Sequence, residues 1–145
     1  MEQLLDNYER FHNELEADLY LLQMMLQLDR QEPLGDTIEL GAVLKYLRGC
    51  ADFVNDETID MRLEHAELRF RQLSYLDWMI KSLPIQEREI INGFICYDEN
   101  WEDVARRLYI SRATYYRLRQ KAIATLEQKV ERDPVFADLF QDENI

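Results

Sequence analysis

Glycine and proline are scarce in this chain, four and three in 145 residues. With so few chain breakers, and with Leu, Glu, Arg, Gln and Ala abundant, the composition points to an all-helical protein rather than a sheet protein. Cysteine is as rare. Cys50 and Cys96 stand alone and read as reduced core thiols, not as a disulfide framework. No charge-free run is long enough to span a bilayer, so no membrane partner is expected. The opening Met-Glu-Gln-Leu-Leu-Asp lacks the basic-then-apolar order of a secretory signal, and the expected compartment is the cytoplasm. There is no glycine-rich phosphate loop and no Cys/His metal spacing. His12 and His65 are far apart without ligand-like neighbours, and the acids are spread over helix faces without a second feature that would make a catalytic pair. The expectation is a non-enzyme with no cofactor and no metal.

What the chain does have is charge of one sign, unevenly placed. Its formal net charge is −12. Residues 1–103 sum to −14, Val104 to Leu126 holds six arginines and lysines and no acid, and residues 127–145 sum to −4. A polyanion responds to the field within about 8 Å, the Debye length at physiological salt, more than to the total. A basic island in an acidic chain is therefore a directed surface.

Apolar periodicity draws the helices. Leu4, Tyr8, Phe11, Leu15, Leu19, Leu22 and Leu26 recur every three or four residues, predicting a helix from about Glu2 to Leu28. The stripe is close to a heptad seam and suits either a second chain or the helix's own domain. Pro33 and Gly35 end it, and Asp36 with Glu39 can form a capping box. A second helix is expected from Ile38 to about Val54, weakened by Gly41 and Gly49. A third runs from about Glu57 to Lys81 on Ile59, Leu63, Ala66, Phe70, Leu73, Leu76 and Ile80. Leu83-Pro84 restarts the chain into a fourth, with Ile85, Ile90, Ile91, Phe94 and Ile95 apolar.

The sharpest pattern follows. Asn100 can cap a helix from Trp101 to about Leu108, with Asp103 in its first turn, where negative charge suits the dipole. Ala105 is small where a second helix must cross closely. Tyr109-Ile110 makes the turn, and Ser111 caps a helix from Arg112 to about Lys129. Val104, Ala105, Leu108, Ile110, Tyr115 and Leu118 are the positions two crossed helices would bury. The other face of the second helix carries Arg112, Ala113, Tyr116, Arg117 and Gln120. Arginine can bond guanine twice, glutamine adenine twice, and alanine can touch a thymine methyl. Arg106, Arg107, Ser111, Thr114, Arg119 and Lys121 surround that face and suit phosphates. Trp78 and Trp101 read as core or inter-helix packing. The tail Val135–Phe140, an apolar edge in an acidic run, is expected to fold back on the domain or to dock on a partner.

The run Ser82-Leu83-Pro84, Glu87-Arg88-Glu89-Ile90-Ile91, Trp101-Glu102-Asp103-Val104-Ala105 and Leu108-Tyr109-Ile110-Ser111 resembles region 4 of sigma-70-type factors. Its continuation, Ser111-Arg112-Ala113-Thr114-Tyr115-Tyr116-Arg117 with Ala122, preceded by Leu76-Asp77, resembles the ArpU/RinA-type phage regulators of late genes. The likeness covers about residues 59–130. It departs from the common helix-turn-helix pattern in carrying Tyr109 where many such units place glycine.

The resemblance implies a transcriptional regulator of phage late genes, for packaging and lysis, acting on double-stranded DNA in the cytoplasm of a bacterial host, with RNA polymerase as a further partner. The expected fold is all-α, an N-terminal long-helix bundle followed by a C-terminal helix-turn-helix unit. Residues 1–81 form a homodimerising region, 82–132 the DNA-binding domain and 133–145 an acidic-hydrophobic tail. The alternatives are a protein-interaction module or inhibitor of a host nucleic-acid enzyme, a sigma-like subunit bound to polymerase, and a small terminase subunit.

Overall fold

The computed structural model describes residues 5–28, 37–95 and 99–141. Among the described residues the fold is all-α. Its helices are α1 Tyr8–Met25, α2 Thr37–Ala51, α3 Glu57–Lys81, α4 Ile85–Ile95, α5 Trp101–Leu108, α6 Arg112–Glu131 and α7 Pro134–Phe140. The third helix has the bounds its periodicity predicts. The second ends three residues before Val54, in a turn whose Asn55 has a φ of 54°. Asp36, the expected cap of α2, and Cys96 lie outside the described residues.

The chain divides into two compact units, one made of residues 10–74 and the other of 75–145 with 1–9. In the first, polar ties on long side chains link the helices. Arg62 and His65 of α3 both reach the buried carboxylate of Asp18 on α1, at 3.1 and 2.5 Å. Arg69 Nε lies 2.8 Å from Glu14, and its guanidinium stacks 4.5 Å from the Phe11 ring. Arg48 of α2 bonds Glu67 of α3. Gly41 is where α2 meets the Phe70 ring, since a Cβ there would stand 2.6 Å from it. The glycine that weakens α2 locally is thus what lets the two helices close.

The second unit begins inside α3 rather than at Pro84. Proline restarts the helix but does not end the packing. The Tyr75 hydroxyl donates to Asp133 at 2.6 Å, and its ring lies 6.2 Å from Phe136 and 6.1 Å from Phe140. Tyr8 donates to Asp77 at 2.6 Å. Asp133 also caps α7 by accepting the Val135 N–H at 2.9 Å. Residues 133–141 therefore fold back, with Phe140 buried; the rest of the expected tail lies outside the described residues.

Two further expectations are corrected. Trp78 is not core packing: it is 63% exposed, with one flank against Tyr75. Cys50 is half-buried, not a core thiol. The apolar stripe of α1 also takes one of its two options. Phe11, Leu15, Leu19 and Leu22 are fully buried within the chain, as are Leu63 and Ala66 of α3. A seam already covered by its own chain is not available to a second one.

Candidate functional site

The segment from α4 to α6 is assembled by local rules that can be followed residue by residue. Asn100 takes an extended backbone and its side-chain oxygen accepts the Asp103 N–H at 2.9 Å, opening α5. Eight residues on, at the end of α5, the helix must stop and turn. Tyr109 does this in the left-handed region, φ 57° and ψ 44°, with its N–H directed to the Ala105 and Arg106 carbonyls. The Ile110 N–H bonds Ala105 O at 3.0 Å, closing the orphan carbonyls of the helix end. Left-handed backbone costs an L-residue other than glycine about 1–2 kcal/mol. Ser111 then opens α6, accepting the Thr114 N–H at 3.1 Å and donating to the Thr114 hydroxyl at 3.0 Å.

Behind the turn sits one apolar cluster. Val104, Ala105 and Tyr115 are buried with Ile90 of α4, and Trp101, Leu108, Ile110 and Leu118 pack against them. Of the six positions expected to be buried by the crossing of two helices, Val104, Ala105 and Tyr115 are, whereas Leu108, Ile110 and Leu118 are half-buried at its edge. The sequence reading missed Gly93. A Cβ at Gly93 would lie 2.9 Å from Val104 Cγ2 and 3.3 Å from Glu99 Oε1, so α4 and α5 touch through a missing side chain. A glycine inside an apolar helical run was the available signal.

The outward face of α6 carries the five residues expected to read bases. Arg112, Ala113, Tyr116, Arg117 and Gln120 are all exposed. Their spacing of one, three, one and three residues keeps them on one side of a helix, opposite Tyr115, Ala122 and Leu126, which are buried. Arg112 is held in place: its guanidinium lies 4.9 Å from the Trp101 ring and 5.7 Å from the Tyr116 ring. Those two rings are 6.4 Å apart and tilted. A guanidinium stacked in this way keeps its donors in the plane while losing little freedom on binding. Burial pushes the Tyr115 hydroxyl above its ordinary value, with nearby Arg119 opposing, as expected for a neutral phenol against the cluster.

The residues expected to meet phosphate separate into two groups. Arg106 and Lys121 are exposed; the Arg106 side chain is 78% accessible, with Asp103 3.8 Å away. Arg107, whose side chain is 43% accessible, and the half-buried Arg119 have partners within the unit. Glu99 takes the Arg107 guanidinium on both oxygens, at 2.9 and 2.6 Å, and Glu89 lies 3.7 Å off. Arg119 lies over the Phe94 ring at 4.7 Å. Ser111 uses its hydroxyl on the cap, and Thr114 is half-buried beside it. Glu99 is the second residue the sequence reading missed, since an acid eight residues before its partner gives no local signal.

Among the described residues no group of three His, Cys, Asp or Glu side chains is placed to hold a metal ion. No helix among them is long and apolar enough to cross a membrane. No protein-family model matches the chain, and neither a curated protein nor a solved structure is significantly similar to it.

Proposed function

We propose that this chain is a sequence-specific double-stranded DNA-binding regulator of transcription, with α5, the turn at 109–111 and α6 serving as a helix-turn-helix and α6 as its recognition helix. One observation carries the reading. The exposed face of α6 presents two arginines, a glutamine, a tyrosine and an alanine, within a stretch that holds six basic residues and no acid in an otherwise acidic chain. A major groove admits one α-helix, and these side chains match base edges there. In this reading Arg112, Arg117 and Gln120 read bases, Ala113 and Tyr116 contact the groove, and Arg106 and Lys121 hold the flanking phosphates. Arg107, bound to Glu99, and the half-buried Arg119, over Phe94, are left out of the phosphate set in this reading.

The resemblance to ArpU/RinA-type regulators supports late phage genes as the target, with RNA polymerase as a second partner. Binding as a homodimer belongs to the proposal because two such units gain affinity on half-sites about one helical turn apart. With the stripes of α1 and α3 buried, the exposed apolar side chains of the 10–74 unit, among them Met24, Tyr46, Phe53 and Met61, are what remains to join two copies.

Selection of bound duplexes from a random pool, followed by footprinting, tests the reading. The expected result is an enriched motif with two half-sites. An unenriched pool refutes specific recognition. A single half-site, together with light scattering that shows a monomer at high micromolar concentration with and without DNA, removes the dimer.

A further inference from the structure

Tyr109 has a backbone that disfavours its side chain and a side chain that the fold does not use. Its left-handed conformation, φ 57° and ψ 44°, is open to glycine without strain and is tolerated by asparagine. Two other non-glycine residues share it, Gln27 with φ 58° and Asn55 with φ 54°; both are polar and exposed, and Tyr109 is the one aromatic among the three. The residue is 96% exposed, more than any other large hydrophobic of the described residues. The turn does not require it either. The bonds that close α5 are made by backbone groups, from Tyr109 N and Ile110 N, and the apolar anchor of the turn is Ile110, which packs on the cluster. Strain that the fold does not repay points to a contact outside the molecule.

The surroundings of Tyr109 give the chemistry of that contact. Arg106 stands one helical turn before it and Arg112 three residues after it, both exposed. No acid occurs anywhere from Val104 to Leu126. An outward phenol between two arginines fits a polyanion, to which its hydroxyl can donate. We infer that Tyr109 is a DNA-backbone contact, its hydroxyl donating to a phosphate oxygen beside the groove that α6 enters. This rests on the reading of α6 as a recognition helix. The residue is a tyrosine rather than the turn's natural glycine because it is used in binding.

The test compares the full chain with Tyr109→Gly, Tyr109→Phe and Arg106→Ala. Thermal unfolding is followed, and binding is measured on a selected and a random duplex across a range of salt concentrations. Tyr109→Gly melts no lower than the parent, since the strain is relieved, yet binds both duplexes about five- to tenfold more weakly, the worth of roughly one hydrogen bond plus ring contact. Tyr109→Phe loses about threefold on both. Neither changes the slope of log affinity against log salt, because the phenol is neutral, whereas Arg106→Ala flattens it by about 0.9. Tyr109→Gly binding both duplexes as the parent does overturns the inference. So does a loss confined to the selected duplex, which would make Tyr109 a base reader, or a lower melting temperature, which would make it a structural residue. Unchanged duplex binding with weakened binding to RNA polymerase overturns it in favour of a protein contact. If the parent chain binds no duplex, the reading of α6 itself fails, which is a different result.

Discussion

Gly93 and Val104 meet where α4 crosses α5, and the Cβ that Gly93 lacks would stand 2.9 Å from Val104 Cγ2. Valine is stiff at χ1 and Val104 is fully buried, so it cannot swing away. Gly93→Ala therefore forces the two helices apart. Overpacking of this kind costs about 1–3 kcal/mol, offset by up to about 1 kcal/mol of helix propensity. The expected net loss is about 1–2 kcal/mol in urea unfolding. Duplex affinity should fall on selected DNA more than on random DNA, because the α5–α6 pair loses its seat. A variant as stable as the parent would show that the crossing has room to spare.

Arg117 and Arg106 separate base reading from phosphate binding. Both are exposed, Arg117 on the outward face of α6 and Arg106 on the last turn of α5. Arg117→Ala should cost about 1–3 kcal/mol on the selected duplex and much less on random DNA. Arg106→Ala should weaken both alike. Equal losses for Arg117→Ala on the two duplexes would mean that α6 lies in the groove with another face inward.

Glu99 restrains Arg107. Its two oxygens take the guanidinium at 2.9 and 2.6 Å. Glu99→Gln keeps the shape and removes the charge. The expected outcome is tighter binding to random duplex at low salt and a slope of log affinity against log salt steeper by up to about 0.9, one more phosphate neutralised. A salt titration measures it. An unchanged slope would place Arg107 out of reach of DNA.

Tyr75 makes stability fall at alkaline pH. Burial, followed by the hydrogen bond to Asp133 and its charge, raises the hydroxyl well above its ordinary value of 10.0. Below pH 10 the phenol is neutral in both states and its stabilisation is fully present. As the pH rises further, the unfolded chain releases the proton and the folded chain keeps it. Stability is therefore lost toward the folded-state value, by at most about 1.4 kcal/mol per pH unit for this group. Tyr115, raised mainly by burial, adds to the same fall. Tyr75→Phe should lose about 1 kcal/mol at pH 7 with the hydrogen bond, then decline less steeply above pH 10. Urea unfolding at pH 7 and pH 11 compares the two; parallel declines would contradict the assignment.

The helices α1 to α6, the caps at Asn100 and Ser111 and the outward face of α6 were legible in the sequence because each is decided within about one turn of chain; α7 was not. Asn100 and Ser111 bond N–H groups three residues on, and the period of the apolar residues alone separates Tyr115 and Leu118 from Arg117 and Gln120. Even Tyr109 stood out in the sequence, although its positive φ and exposure are set only by the fold. Tertiary structure decided which of several equivalent partners each side chain takes. The stripe of α1 suits a second chain or its own domain equally well by period, and Phe11, Leu15 and Leu19 are buried in their own. Arg106 and Arg107 are adjacent and chemically identical, yet only Arg107 meets Glu99, because successive residues of α5 face different sides of the helix. Trp78 points outward while Tyr75, one helical turn earlier, is covered by α7. Such choices depend on residues from 8 to 65 positions apart that only packing brings together, and no local spacing records them.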